Sequence, residues 1–297
     1  MQAETVVRPR RLAGAAVGIP PRQMDFRLPT EAPRYFYDDN ATATLFFAVL
    51  SSWFPPGERF FMESVRHFRD RITDEKLKAE VSGFMGQEAI HGREHERLNE
   101  LLEERGINLG VPVALLKIGL GALERLPPST QLAATTFMEH FTALLAEQLL
   151  TDEHFRGNAH PEMIKLWQWH ALEELEHKAV AYDVYELAGN SRSERIAAGA
   201  AVVAALGPAV FASWAWLVLR EGKATDLKDV RKGLRLLLGR GGFVSRILPK
   251  MSLFWRPDYH PRKHKTKELE AQWREIMFGV DGTLNGELRN REAVSIQ

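Results

Sequence analysis

Residues 87–99, QEAIHGREHERLN, and residues 166–186, LWQWHALEELEHKAVAYDVYE, decide how this chain folds. In the first, Glu88, His91, His95, Leu98 and Leu102 recur at spacings of three and four, and Phe84 extends the same helical face. In the second, Trp167, His170, Glu174, His177, Ala181 and Val184 share a face in the same way. Each stripe is apolar apart from two histidines and one carboxylate. Burying an ionised carboxylate without a partner costs several kcal/mol, so both stripes need a compensating charge. A metal ion supplies it, because neutral imidazole and carboxylate oxygen both coordinate divalent iron, manganese or zinc.

Outward from these stripes the pattern is helical. Asn40 is placed to cap a helix through ATATLFFAVLSSWF, which Pro55-Pro56-Gly57 is expected to end. A second helix follows through GERFFMESVRHFRD, and a third from about Asp74 to Glu104, stopped at Gly106. After the short apolar VPVALLKIGLGALERL, helices run from near Ser129 to about His154 and from Pro161 to Gly189. No run alternates with period two over strand length, so the fold class is all-α. The long gap between Glu104 and Ser129 supplies the one long crossover that a ferritin-type four-helix bundle needs. The organisation is an irregular arm over 1–34, a bundle over 35–190 and a C-terminal helical extension over 191–297.

Two further helices should each give one carboxylate. Glu63 follows Phe60, Phe61 and Met62; Glu139 shares a face with Leu132, Thr136, Ala143, Ala146 and Leu150. The ligand set is then Glu63, Glu88, His91, Glu139, Glu174 and His177: one Glu from each of two helices and a Glu-x-x-His from each of the other two. Glu88 and Glu174 would bridge two ions, Glu63 and His91 would cap one, and Glu139 and His177 the other. His95 has no carboxylate partner in this pattern. It is expected to face substrate or support a ligand, and joins Glu88 and Glu174 as catalytic. His140, a quarter-turn from Glu139, is read as a surface residue. A single Glu-x-x-His arises by chance in a glutamate-rich chain; two in register on separate apolar faces carry the weight.

The order Glu, Glu-x-x-His, Glu, Glu-x-x-His resembles the ferritin-like di-iron carboxylate superfamily over roughly residues 40 to 190. The spacing His170-x-x-x-Glu174-x-x-His177 is similar to that of arylamine N-oxygenases, which implies that His170 is a further ligand of the second iron. Pro-Pro-Gly-Glu before Glu63 and the late Tyr259-His260-Pro261 resemble a bacterial family labelled predicted metal-dependent hydrolase.

Composition narrows the chemistry. The 297 residues include no cysteine, which excludes disulfides, thiolate metal sites and cysteine nucleophiles. A formal net charge of zero argues against a nucleic-acid partner. The N-terminus has basic residues but no apolar stretch with a cleavage site, so no secretory signal is expected and the cytoplasm is the expected location. Ile196 to Leu219 carries no charge and is long enough to cross a bilayer, and a basic amphipathic stretch follows, so attachment to the inner face of a membrane stays open. A homodimer stays open too.

The leading functional expectation is a di-iron oxidase or oxygenase. It would hold two iron ions, take dioxygen and a small lipophilic substrate, and draw electrons from a separate donor protein, since no nucleotide- or flavin-binding loop is evident. Phe84, Leu98, Phe137 and Trp167 would wall the site against water. The alternative is a dinuclear hydrolase of esters or phosphoesters, with manganese or zinc in place of iron. A further alternative is a ferroxidase-like iron-handling protein.

Overall fold

The computed structural model describes residues 11–189 and 191–294. Among these residues the chain forms nine helices of eight residues or more and no strand. In chain order they are α1 Ala41–Arg66, α2 Glu75–Glu104, α3 Gly110–Leu123, α4 Pro128–Thr151, α5 Pro161–His177, α6 Val180–Leu187, α7 Arg192–Arg220, α8 Leu227–Leu238 and α9 Lys267–Phe278. The fold is all-α. Helix α1 packs on α2 and α4 on α5, with further contacts between α1 and α4 and between α2 and α5, so these four long helices enclose one interior. Helix α3 spans part of the connection from α2 to α4 and packs against α1 and α7.

Local signals explain most helix ends. The Asn40 side chain accepts from the Ala43 amide and the Asp74 side chain from the Leu77 amide, satisfying amides that the first turn leaves without partners. Gly106, at φ 84°, takes the left-handed conformation that closes α2.

Two expectations about helix ends fail. Pro55-Pro56-Gly57 does not end the first helix: α1 continues through both prolines to Arg66. Pro55 has no N–H, so the carbonyl of Ser51 one turn earlier loses its helical partner. The Asn99 side chain on α2 donates to that carbonyl at 3.2 Å, making good the loss from a neighbouring helix. The last bundle helix does not run unbroken to Gly189 either. It stops at His177 and restarts at Val180, while Lys178 turns its ammonium back onto the Leu175 carbonyl.

The chain ends lie on the bundle. Residues before α1 cross α2 at its small residues: a Cβ on Gly83 would sit 2.5 Å from the Ile19 carbonyl oxygen, and one on Gly86 2.6 Å from the Pro21 Cβ. Only glycine admits so close a crossing, and it brings Arg22 to the interior. Helices α7 and α8 both dock at the start of α1. Trp214 Nε1 donates to the Thr42 carbonyl at 2.8 Å, and the Asp229 carboxylate accepts from the amides of Ala41 and Thr42. Helix α9 packs on α5, and Trp273 donates to the Leu150 carbonyl.

Candidate metal centre

Helix periodicity, taken through the two prolines, puts Phe47, Ser51, Phe54, Glu58, Phe61 and Val65 on one face of α1. The carboxylate that α1 delivers to the interior is therefore Glu58, not Glu63. Glu58 is 1 % exposed, and neither of its oxygens makes a hydrogen bond. Glu63 lies off that face, its side chain 50 % exposed and paired with Arg66. The assignment of Glu63 rested on restarting the helix at Gly57; in the continuous helix it points to solvent. The other expected side chains do come together. Glu88, His91 and His95 from α2, Glu139 from α4, and His170, Glu174 and His177 from α5 are all buried.

These groups form overlapping sets around two positions. Glu88, Glu139 and His177 converge at one, and Glu58, His91 and His170 at the other. Glu88, His91 and Glu174 form a third set that joins them. His177 Nε2 lies 3.2 Å from Glu88, 3.5 Å from Glu139 and 3.6 Å from Glu174. His170 Nε2 lies 2.9 Å from Glu174 and 3.8 Å from Glu58, and His91 Nδ1 lies 3.7 Å from Glu174. His170 thus sits with Glu58 and His91, away from the Glu139–His177 pair.

The outward nitrogen of each histidine fixes which nitrogen faces in. Gln87 donates its Nε2 to the Pro20 carbonyl and to Glu176, so its Oε1 accepts from His177 Nδ1 at 3.0 Å. Glu173, ion-paired with Arg22 through its other oxygen, accepts from His91 Nε2 at 3.1 Å. Ser51 donates to Asn99 Oδ1 and therefore accepts from His95 Nδ1. His95 Nε2 is left as an acceptor for His170 Nδ1 at 2.7 Å. His177 Nε2, His91 Nδ1 and His170 Nε2 each consequently aim a lone pair at carboxylate oxygens.

Lone pairs facing lone pairs at these distances, out of water, need a cation between them. Both oxygens of Glu58, Glu88 and Glu139, one of Glu174, His91 Nδ1 and His177 Nε2 are buried with no hydrogen-bond partner. The donor set is oxygen and imidazole nitrogen without sulfur, which suits iron, manganese or zinc. The residues present fit two divalent ions.

Electrostatics agree. Burial, with the charges of Glu88 and Glu174, pushes Glu58 well above the usual carboxylate range. Burial likewise raises Glu139 well above it and also raises Glu88, against the pull of His177. Burial acts the same way on Glu174, but His177 and His170 outweigh it and hold this carboxyl well below its ordinary value. Burial opposes protonation of His177, yet Glu139 and Glu174 outweigh it and raise this imidazole well above its ordinary value. Burial and the neighbouring His170 lower both His91 and His95.

A layer outside the expected ligand set supports these imidazoles. Glu173 and Glu176 are fully buried and share one guanidinium, that of Arg22, at 2.7 Å and 2.8 Å. Arg274 on α9 adds a second cation to Glu176 at 2.8 Å. Glu173 at one end holds His91, and Glu176 through Gln87 holds His177. Local sequence gives one clue, the run Glu173-Glu174-Leu175-Glu176, too acidic for an apolar stripe. Nothing local pointed to Arg22, 151 residues from Glu173. His140 is also corrected: it is 6 % exposed, its ring 5.2 Å from that of Tyr259.

On one side the cluster meets a cleft of about 40 Å³, lined by Phe47, Leu50, Phe54, Leu145, Trp167 and Phe243 together with His170 and Glu174. Of the four expected walls, Trp167 lines this cleft, while Phe84 packs edge-on against His177. Leu98 is buried in the core, and Phe137 packs against Phe254 and Trp255 away from it.

A buried carboxylate–imidazole cluster inside an all-helical bundle defines the class: a helical protein equipped to hold divalent metal. A family model described as predicted metal-dependent hydrolase matches residues 20–265, and the chain belongs to that family. Neither the curated proteins nor the solved structures give a match.

Proposed function

We propose that this protein is an enzyme whose ligands Glu58, Glu88, His91, Glu139, His170, Glu174 and His177 hold two divalent ions, and that it hydrolyses an ester or phosphoester. The observation that carries the metal reading is the set of three imidazoles whose outward hydrogen bonds turn their lone pairs onto carboxylates. The family description supports hydrolysis. Ions held here would acidify a water and polarise the scissile bond. The chain's own part is positional. Glu88 and Glu174 reach both halves of the cluster, Glu173 and Gln87 fix the tautomers of His91 and His177, and the aromatic walls keep bulk water out.

A second reading, oxygen-dependent oxidation with two irons and a separate electron donor, is favoured by one observation. The cleft that His170 and Glu174 help to line is otherwise walled by aliphatic and aromatic side chains, which gives the cluster an apolar approach. The resemblance of the ligand order to ferritin-like di-iron proteins points the same way.

One experiment addresses both. Metal content is measured on purified protein, which is then assayed in two arms: zinc- or manganese-loaded protein on generic esters and phosphoesters without oxygen, and reduced iron-loaded protein for oxygen uptake. Turnover in the first arm supports hydrolysis. Uptake in the second, with no turnover in the first, replaces it by oxidation. Less than one bound metal per chain under all loadings would refute the metal reading itself.

A further inference from the structure

Helix α7 is long and apolar enough to cross a membrane, yet it lies along the bundle. Ala198, Gly199, Val202, Trp214 and Leu217 face inward, and Arg195 is buried against the carbonyls of Phe254 and Arg256. A core helix of this composition would be mostly covered, but only 33 % of its most apolar window is buried. The uncovered side is a continuous stripe: Ala197, Ala200, Ala204, Pro208, Phe211, Ala215 and Leu219. Phe211 is 57 % exposed and Leu219 65 %. No charge interrupts the stripe.

Helix α8 docks at the same end of the bundle, both helices reaching Thr42. Its acidic Asp229 is turned inward as the cap of α1. What remains outward is Leu227, Leu234 and Leu238 among Lys228, Arg231, Lys232 and Arg235, with one acidic residue, Asp226, at the start of the helix. Leu227 is 74 % exposed. Leucines in a field of cations are the composition of a helix that lies in the headgroup region of an anionic bilayer.

We infer that the outer faces of α7 and α8 form one docking surface for an anionic lipid bilayer, on which the protein rests without crossing it. The charge complementarity of α8 selects lipid over a second copy, because two such faces would oppose cation to cation. The surface stands independently of the reaction catalysed.

The test uses the full chain with its metal and vesicles of phosphatidylcholine, with and without phosphatidylglycerol. The protein should sediment with the anionic vesicles and stay in solution with the zwitterionic ones, and added salt should release it. Arg231→Gln and Arg235→Gln should each weaken binding about fivefold. Phe211→Ser with Leu219→Ser should weaken it by more than about tenfold at unchanged metal content, and Leu227→Ser, on the outermost leucine, should weaken it without touching α7. Absence of binding to anionic vesicles, or binding that none of these variants alters, would overturn the inference. So would a dimer seen by sedimentation equilibrium that Phe211→Ser with Leu219→Ser dissociates.

Discussion

Replacing Glu58 by glutamine should change stability in opposite directions with and without metal. In metal-free protein Glu58 is buried beside Glu88 and Glu174, and its pKa is raised well above 4.5. A raised carboxyl pKa means that the folded state binds more protons than the unfolded state, so folding loses stability as pH rises through 4.5. A carboxyl that takes up a proton escapes any larger penalty. The cost is thus capped by the distance from 4.5 to 7, about 3 kcal/mol. Glutamine has the same shape and no charge. After an allowance for its own buried amide, the metal-free variant should gain about 1–3 kcal/mol, on the order of 2–6 °C in Tm. With metal the sign reverses, because a ligand is gone and binding no longer stabilises the folded state as strongly. Differential scanning calorimetry on chelated and reloaded protein, with metal counting, measures both. Glu63→Gln is the control: its solvated pair with Arg66 is worth well under about 1 kcal/mol, and metal content should not move. If Glu63→Gln lost metal while Glu58→Gln kept it, or if Glu58→Gln shifted both states in one direction, the placement of Glu58 would be wrong.

Arg22→Met strands Glu173 and leaves Glu176 to Arg274 alone, so chemical denaturation should show a loss of about 3–5 kcal/mol. Metal affinity by competition with a chelator should fall about 10–100-fold, because the partners that orient His91 and His177 are disturbed. His140 gives a pH signature. Burial, aided by the charge of His264 and opposed by a hydrogen bond to the Lys250 carbonyl, lowers it from 6.5 to about 4. The unfolded chain therefore takes a proton first, and stability is lost as pH falls from 6.5 towards 4, by on the order of 3 kcal/mol. Urea unfolding across that window should be flatter in His140→Gln than in the parent by about that amount; parallel curves would show that His140 does not titrate this way. Gly233→Ala places a Cβ 2.5 Å from that of Thr42 and should cost about 1–3 kcal/mol by lifting α8 from α1, read as faster amide exchange over residues 227–238.

Periodicity was enough to read the helical class, the two Glu-x-x-His faces and the inward position of Glu139. Spacings of three and four are a property of the helix itself, and an apolar stripe containing charge marks a site before any neighbour is known. The cap at Asn40 and the stop at Gly106 were legible for the same local reason. Glu58 was not. Two prolines read as a stop by every local rule, and the helix passes them with the help of Asn99, a donor on another helix that sequence cannot place opposite Ser51. The helix keeps its register past Gly57, and in that register Glu58 is buried and Glu63 exposed. Arg22 and Arg274 were hidden likewise, since charge pairing across 151 and 98 residues exists only once the arm has crossed Gly83 and Gly86 and α9 has docked. The sequence determined which residues could be ligands, because helix geometry is local. The tertiary structure decided which carboxylate from α1 joins them and what holds the imidazoles, because satisfying a buried polar group depends on whatever lies opposite it.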